Sequence, residues 1–277
     1  MQVAMIQDKI LPMEELEPIY HDRGTYFGDG VYEVLRSYNG KIFALEEHLQ
    51  RIAKNLSAIE IAGVDIDRIR SRVQKAFDTA GIPNAKIYFH ITRGSALRNH
   101  ICEDKLEPNF FLTVTELNDD TEEKNKGIAV STFPDWRWKR CDIKSLNLLA
   151  NVLARQDAAK KGCAEAILVD ETGLITEGAA SAFFAVSGRK LRTAPLTANI
   201  LPSITRRFVI EAAKKIGLEI VEKSITPQQA RCADELFIAV TTKDIVPVVE
   251  FDGKLIREGK PGKYTKLLIQ EFRSFTS

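Results

Sequence analysis

The strongest constraint on the fold is the apolar run at residues 236–240, which contains no polar side chain. A strand that is apolar at every position is buried on both faces, as in a sheet covered by helices on both sides. The run ends at Thr241, Thr242, Lys243 and Asp244. Loops at strand ends commonly carry ligand contacts, although polar residues are also simply how strands end. The run therefore predicts a central strand of an α/β domain.

A second constraint is the alternation in residues 85–93, where polar residues separate Ile87, Phe89 and Ile91. Such alternation is typical of a strand with one buried face. Helical patterns precede it, and another strand pattern follows at residues 110–117. The two helical patterns cover residues 45–61 and 65–80. Together these segments predict an N-terminal unit.

The charged segment 118–126 is typical of a solvated linker. A second α/β set follows, with strands at residues 128–133 and 165–170, helices at residues 146–161 and 262–275, and Leu148, Val152 and Ala159 on one face of the first helix. We therefore predict a two-domain α/β (α+β) fold. Its parts are an N-terminal α/β domain over residues 1–117, a linker over 118–126 and a larger C-terminal domain over 127–277.

Composition excludes several classes of protein. The 277 residues are 44% hydrophobic and 28% charged with a net charge of +1, so no overall field attracts nucleic acid or an anionic membrane. No apolar run approaches the roughly 20 residues that span a bilayer. Residues 1–17 include acidic residues where a secretory signal would have a long apolar region, so we expect a cytoplasmic protein. The four cysteines and four histidines lack metal-site spacing, so no metal is predicted.

Lys144 follows a basic segment, in which Arg137, Lys139 and Arg140 are close to it in sequence. Positive neighbours lower the pKa of an amine and make its neutral, nucleophilic form easier to reach. A solvated basic surface is the commoner structure for such a cluster. Lys144 is a candidate nucleophile only if the rest of the chain supplies partners for it.

Two further candidates precede Lys144 in the chain. A Gly-rich turn at residues 27–34 contains Tyr32, at the point where strand-like alternation begins. A plain turn into a strand is the alternative. In the helical pattern that follows, His48 and Arg51 are three residues apart and so share a face.

Arg98 and His100 lie two residues apart in the polar loop after residue 93. They could clamp a carboxylate, the guanidinium by its planar fork and the imidazole by a ring donor. A surface pair without a ligand is the commoner outcome. Glu177 lies among small and apolar residues, where a carboxylate is costly unless it meets a cation or a proton donor. A turn residue that reaches solvent is the alternative for Glu177.

Residues 200–206 open a helix, marked by Pro202 near its first position and by Ser203 or Thr205 as capping hydroxyls. Backbone N–H groups exposed at such an end suit a phosphate, although most helix starts bind nothing. The buried stripe of this helix is predicted at Phe208, Val209, Ala212 and Ile216.

Five motifs, in this order from about Tyr20 to Gly262, resemble those of the fold-type IV, or class IV, pyridoxal-phosphate aminotransferases. They are Phe27-Gly28-Asp29-Gly30-Val31-Tyr32-Glu33, Thr92-Arg93-Gly94 with Arg98-Asn99-His100, Arg140-Cys141-Asp142-Ile143-Lys144-Ser145-Leu146-Asn147, Thr176-Glu177-Gly178 and Glu235-Leu236-Phe237. Within that class they most resemble the bacterial D-amino acid aminotransferases. Chance coincidence of several ordered motifs is remote.

The resemblance implies that pyridoxal 5′-phosphate is the cofactor and that Lys144 is the Schiff-base lysine, which also moves the substrate's α-proton. It implies that Glu177 keeps the pyridine nitrogen protonated. Arg51 matches the phosphate-binding arginine. The other matched cofactor contacts are Leu201 against the ring and Ile204, Thr205 and Thr241 at the phosphate.

The resemblance also implies how the substrate is held. Tyr32, Arg98 and His100 match the residues that bind the α-carboxylate in D-amino acid aminotransferases. In that family the arginine and the histidine come from a second subunit, so a homodimer is implied. Branched-chain aminotransferases of the same class lack this Arg-x-His arrangement, and its presence favours D substrates.

The implied reaction is a ping-pong transamination between a D-amino acid, of the D-alanine or D-glutamate type, and a 2-oxo acid. The alternatives of the same fold are a branched-chain L-amino acid aminotransferase, an (R)-amine transaminase and an aminodeoxychorismate lyase. A cofactor-binding protein without turnover is a further alternative.

Four positions depart from the family pattern. Ala179 and Ala180 stand where serines are usual, Ala182 where asparagine is usual, and Val240 where serine occurs. Each hydrogen bond lost in this way would weaken cofactor binding by about 1 kcal/mol.

Overall fold

The computed structural model describes residues 2–102, 105–118 and 121–276. Its N-terminal unit contains a small hairpin, a four-stranded sheet and three helices. The elements are β1 (Val3–Ile6), β2 (Lys9–Pro12), α1 (Arg23–Phe27), β3 (Gly30–Tyr38), β4 (Lys41–Ile42), α2 (Leu45–Ala58), α3 (Ile66–Ala80), β5 (Ala85–Thr92) and β6 (Asn109–Glu116).

The four-stranded sheet is antiparallel in the order β4-β3-β5-β6. Ile87 and Phe89 of β5 are buried in one core with Ile52 of α2 and Val73 of α3. The residues that alternate with them on β5 are only partly buried. The predicted strand with one buried face is therefore confirmed.

The C-terminal unit is built on a mixed nine-stranded sheet, in the order β12-β11-β10-β13-β14-β7-β8-β9 with β15 paired to β14. Its elements are α4 (Thr121–Lys126), β7 (Ile128–Pro134), α5 (Leu149–Lys160), β8 (Glu165–Val169), β9 (Ile175–Gly178), β10 (Ala182–Ser187), β11 (Lys190–Thr193), α6 (Ile204–Lys215), β12 (Glu219–Glu222), α7 (Pro227–Arg231), β13 (Glu235–Val240), β14 (Asp244–Phe251), β15 (Lys254–Leu255) and α8 (Lys263–Arg273).

Strand β13 lies inside the large sheet, between β10 and β14. Leu236 and Ile238 belong to one core cluster, and Phe237 and Ala239 belong to another on the opposite face. The predicted strand buried on both faces is confirmed, as is the α/β (α+β) class. Because β13 ends at Val240, the loop that follows begins at the C-terminal end of this central strand.

Part of the predicted linker is helical. Residues 121–126 form α4, in which the Lys124 amine pairs with Asp244 at 3.0 Å, while Glu123 pairs with Lys243 at 2.6 Å. Both ion pairs tie this charged segment to the start of β14. The division of the chain into domains at residues 117 and 127 stays a prediction.

Leu148, Val152 and Ala159 share a face of the helix, as predicted, and this face lines a cavity. The residues that α5 buries against the sheet are Ala154 and Ala158. Small alanines let the helix approach β7 and β8 closely, so its larger apolar side chains are turned away from the core.

Helix α6 begins later than residue 200, at Ile204, with Ser203 as its N-cap. Val209 and Ala212 are buried as predicted. Phe208 and Ile216 are only partly buried, at the margin of that core. In the part of the chain that the structure describes, we find no helix with the length and apolar character needed to cross a bilayer.

Candidate active site

A cavity of about 640 Å³ lies between the two units. Small-molecule sites are typically clefts of roughly 300–1,000 Å³. Both units contribute predicted site residues to its wall: Tyr32 and Arg51 from the N-terminal unit, and Lys144, Glu177, Leu201 and Thr241 from the C-terminal unit. The fold therefore brings together six residues that are up to 209 positions apart, counted from residue 32 to residue 241.

Backbone hydrogen bonds fix the position of Lys144. The Tyr32 N–H donates to the Lys144 carbonyl at 3.0 Å, and the Leu146 N–H donates to the Gly30 carbonyl at 3.0 Å. The segment before α5 is thereby held against β3. A Cβ at Gly30 would lie 2.9 Å from Leu146 Cδ1, so the glycine permits this close approach. The Lys144 Nζ lies 4.1 Å from the centroid of the Tyr32 ring.

The basic residues before Lys144 do not form a group of free positive charges. Each is paired with a carboxylate: Arg137 with Glu177 at 2.6 Å, Lys139 with Glu171 at 3.5 Å and Arg140 with Asp142 at 2.9 Å. The prediction that they act on Lys144 as positive neighbours overlooked these partners. Of the three, Arg137 is buried and lines the cavity.

Glu177, on β9, is only 6% exposed. Its Oε1 accepts from Arg137 Nη1 at 2.6 Å and from the backbone N–H of Leu201 at 3.0 Å. Burial raises the pKa of this carboxyl, and the Arg137 guanidinium opposes part of the rise. Among the described residues both hydrogen bonds are accepted by Oε1, and Oε2 accepts none; Glu177 lines the cavity.

The sequence indicated Arg137 only as a positive neighbour of Lys144 and not as a partner of Glu177. It also binds Asp135, through Nε at 2.8 Å and Nη2 at 2.7 Å. These contacts leave little freedom to the guanidinium, which in turn orients Glu177. Fixed charges of this kind set the electrostatics of a site before any ligand arrives.

Glu33 is a site residue that the sequence interpretation missed. It is 0% exposed and accepts from Arg51 Nε and Nη2, each at 2.7 Å. Its Oε2 also lies 2.7 Å from His48 Nδ1. Burial alone would raise the pKa of Glu33, but the charges of Arg51 and His48 lower it to about 2.

Two signals in the sequence could have identified Glu33. Glu33 is two residues from both Val31 and Leu35, so its carboxylate shares their buried face of β3. His48 and Arg51 share a helical face, as predicted, and both turn toward this carboxylate. A buried acid that faces two cationic groups across a core is an economical explanation of all three positions.

The start of α6 closes another wall of the cavity. The Ser203 hydroxyl accepts from the Arg206 N–H at 3.1 Å and so caps the helix. Arg51 Nη1 donates to the Pro202 carbonyl at 3.0 Å, and Thr205 Oγ1 lies 3.4 Å from Thr241 Oγ1. Ile204 and Thr205 are buried behind the lining formed by Ser203, Leu201 and Thr241.

Arg98 and His100 lie outside the cavity lining of this chain. Both are exposed and flank Phe27, with the Arg98 Cζ 5.1 Å and the His100 ring centroid 5.1 Å from the Phe27 ring centroid. Arg23 holds their backbone, donating to the Asn99 carbonyl at 2.5 Å and to the His100 carbonyl at 3.1 Å. The two predicted clamp residues are therefore adjacent to each other but separate from Tyr32 in one chain.

The four departures from the family pattern all lie at the cavity. Ala179, Ala180, Ala182 and Val240 line it. They offer no side-chain hydrogen bonds there. Ser181, which also lines the cavity, donates its hydroxyl to Glu165 at 3.0 Å.

Comparison with known proteins identifies the family. The family model for amino-transferase class IV matches residues 30–251. The chain belongs to the class IV aminotransferases.

Individual relatives narrow the similarity. The chain is 38% identical to a D-alanine aminotransferase from Bacillus licheniformis, over 95% of this chain and 93% of the relative. It is 33% identical to the one from Staphylococcus haemolyticus, over 99% and 98%. A crystal structure of the Escherichia coli branched-chain amino acid aminotransferase has a TM-score of 0.88 at 24% identity, over 98% of this chain and 93% of that one. That last similarity establishes the fold alone.

The enzymes of this class use pyridoxal 5′-phosphate. The residues at the cavity suit this group. An amine, Lys144, and a buried carboxylate, Glu177, line one space, and Arg51 and the capped start of α6 meet at another part of its wall. These are the chemical groups that an aldehyde, a pyridine nitrogen and a phosphate require.

Proposed function

We propose that this chain exchanges the amino group of a D-amino acid, of the D-alanine or D-glutamate type, with a 2-oxo acid, with pyridoxal 5′-phosphate as its cofactor. One observation carries the proposal. Lys144, Glu177 and Arg51 line a single cavity in a chain that is 38% identical to a D-alanine aminotransferase.

Pyridoxal phosphate supplies, when bound, an aldehyde carbon that carries the amino group and a pyridine ring that draws electrons from the substrate Cα. Lys144 would hold that aldehyde carbon through Nζ and, when its amine is free, would carry the substrate's α-proton. Its fixed backbone supports this role, because only the side chain has to move between the two tasks.

Glu177 holds the proton on the ring nitrogen. The use of Oε1 by Arg137 and Leu201 supports this role, since Oε2 remains for the ligand. Leu201 would pack against the ring. Arg137 favours the ionised form of Glu177 against the effect of burial, and an ionised carboxylate in a buried site would stabilise a positive ring nitrogen more strongly than solvent does.

Arg51 and the residues at the start of α6, Ile204 and Thr205, would hold the phosphate together with Thr241. A guanidinium has five N–H donors. Arg51 uses three of them, two on Glu33 and one on the Pro202 carbonyl, which supports a role for the other two toward an anion. The N-terminal dipole of α6 adds to this attraction.

Tyr32, Arg98 and His100 bind the substrate's α-carboxylate in a homodimer, with Tyr32 on one subunit and the other two on its partner. The separation of Arg98 and His100 from the cavity of their own chain supports this arrangement. Leu97 and Ile101, next to them in the same loop, are 64% and 66% exposed. Large exposed apolar side chains of this kind mark protein contacts.

The cytoplasm is the location that we assign to the enzyme. In the described part of the chain no disulfide joins the cysteines, which suits a reducing compartment. The alternatives of the same fold, a branched-chain L-amino acid aminotransferase, an (R)-amine transaminase and an aminodeoxychorismate lyase, use the same cofactor. They differ in the substrate that discharges it.

The decisive measurement is a half-reaction. Holo-protein is mixed separately with D-alanine, with L-alanine and with an (R)-amine, and the visible absorption band of the cofactor is followed. We expect D-alanine alone to remove the band. Loss of the band with L-alanine, or with the amine only, would assign the protein to one of the alternative activities, and a band that no substrate changes would indicate binding without turnover.

A further inference from the structure

Lys86 is a cavity residue that the proposed function does not use. It lies on β5, on the face opposite the core, and lines the cavity together with Val34 of β3. The register pairs Tyr32 with His90 and Arg36 with Lys86, so Lys86 and Tyr32 are on the same face of the sheet.

The other basic residues at the cavity differ from Lys86. Three of them have a carboxylate partner, in the pairs Arg51 with Glu33 at 2.7 Å, Arg137 with Glu177 at 2.6 Å and Arg155 with Glu165 at 3.1 Å. Lys144 is assigned to the cofactor. Across residues 2–102, 105–118 and 121–276, no carboxylate lies within ion-pair distance of Lys86. Its charge is thus available to a ligand.

Lys86 has a basic neighbour on the adjacent strand. Arg36, directly opposite on β3, binds Asp244 at 3.2 Å and donates to the Thr242 carbonyl, at the cavity wall, at 2.9 Å. Like charges that face each other across a sheet are destabilising unless a counter-charge offsets them. A ligand carboxylate at Lys86 would supply such a counter-charge.

We propose that Lys86 binds the distal carboxylate of dicarboxylic substrates, D-glutamate and 2-oxoglutarate, and so determines their preference over D-alanine and pyruvate. The inference depends on the proposed function, which assigns the α-carboxylate to Tyr32. Four residues of strand separate the two levels, about 13 Å at a rise of about 3.3 Å per residue. Tyr32 and Lys86 both line the cavity, and the carbon chain of glutamate would lie between their side chains.

The cofactor's phosphate is the other anion that could use this charge. A lysine that serves the phosphate would affect every substrate alike and would weaken cofactor binding. A lysine that serves the distal carboxylate would affect dicarboxylic substrates selectively. The ratio of kcat/KM values for D-glutamate and D-alanine therefore separates the two sources.

We would compare Lys86→Met, Lys86→Arg and Arg155→Met, the last as a second cation on another wall of the cavity. Loss of a charged hydrogen bond predicts that Lys86→Met lowers the D-glutamate to D-alanine ratio about tenfold or more, and that Lys86→Arg restores much of it. Arg155→Met should leave the ratio within about twofold of the unmodified enzyme, because Glu165 already occupies that guanidinium.

A parallel loss with both substrates, together with a raised Kd for the cofactor, would assign Lys86 to the phosphate and overturn the inference. A changed D-glutamate to D-alanine ratio in Arg155→Met, with an unchanged ratio in Lys86→Met, would also overturn the inference. As a measurement that needs no variant, glutarate should inhibit the D-alanine half-reaction at least about tenfold more strongly than butyrate. Equal inhibition would also overturn it. Failure of the unmodified enzyme to convert either D-amino acid would instead refute the proposed function.

Discussion

The pKa values of two buried carboxylates, each beside an arginine, are shifted in opposite directions. Glu33 faces both Arg51 and His48, and these lower its pKa to about 2 against the effect of burial. Glu177 faces Arg137, and burial outweighs that cation, so its pKa is raised. Two basic side chains act on the Glu33 carboxyl, whereas Glu177 has Arg137 alone and also lies near Asp135, which raises its pKa. Both oxygens of Glu33 accept hydrogen bonds, whereas Glu177 accepts through Oε1 alone among the described residues. Glu33 is thus a fixed structural anion, and Glu177 retains an oxygen for a ligand.

Glu33→Gln should weaken both the fold and the cofactor site. The substitution leaves Arg51 without its buried counter-charge, which costs about 3 kcal/mol or more of unfolding free energy. It also frees the guanidinium to rotate, so the cofactor Kd should rise. Urea unfolding and cofactor titration measure the two effects. As a control, Glu46→Gln removes an exposed partner of Arg70. Glu46 lies on α2, the helix that carries Arg51, and its substitution should leave the cofactor Kd unchanged.

The stabilising effect of Glu33 should depend on pH in a defined direction. Its pKa is lowered in the folded state from an ordinary value of 4.5 to about 2. The stabilisation is therefore complete above pH 4.5 and is lost as pH falls toward 2. The stability gap between the unmodified enzyme and Glu33→Gln should narrow over that interval. A gap that stays constant would show that Glu33 acts through packing.

At the scale of elements, the site depends on where secondary structures begin and end. Strand β13 delivers Thr241 to the cavity, and the start of α6 delivers Ser203. The apolar run of β13 was recognisable because burial on both faces leaves no alternation. The packed face of α5 was not recognisable, because its buried positions, Ala154 and Ala158, are small and its larger apolar residues line the cavity or are exposed. Size alone does not reveal which side of a helix is packed.

Ser203→Ala tests whether the start of α6 binds the phosphate. Loss of an N-cap hydroxyl costs about 1 kcal/mol of stability. Asp65 is a matched control, since its side chain caps α3 away from the cavity and accepts from the Asp67 and Arg68 N–H groups. Asp65→Ala should cost about as much stability with no change in cofactor Kd. Ser203→Ala should raise that Kd as well, and equal Kd values for the two variants would count against a phosphate at α6.

At the scale of the whole molecule, the cavity forms where two units meet. Arg36 donates to the Thr242 carbonyl and Arg51 to the Pro202 carbonyl, and the Phe43 and Phe208 rings pack at 4.7 Å between centroids. The order of motifs in the sequence indicated the site residues on both units. The burial of Glu33 could be read from its position between Val31 and Leu35, but its pairing with Arg51 and His48 could not, because a contact between a strand and a separate helix depends on tertiary packing.

The proposed division of the site between two subunits can be tested with a pair of variants. Lys144→Ala should abolish turnover, and Arg98→Ala should raise the substrate KM strongly, when each variant is studied alone. In a dimer of one chain of each kind, one site combines the intact Lys144 of one subunit with the intact Arg98 of the other. Random mixing makes about half of the dimers hybrid, so about a quarter of all sites should regain normal KM.

Unfolding and refolding the two variants together, followed by steady-state kinetics, measures this recovery. Two copies of the same variant refolded together provide the control. If Arg98 served its own chain, no site in a hybrid dimer would contain both intact residues, and no recovery would occur.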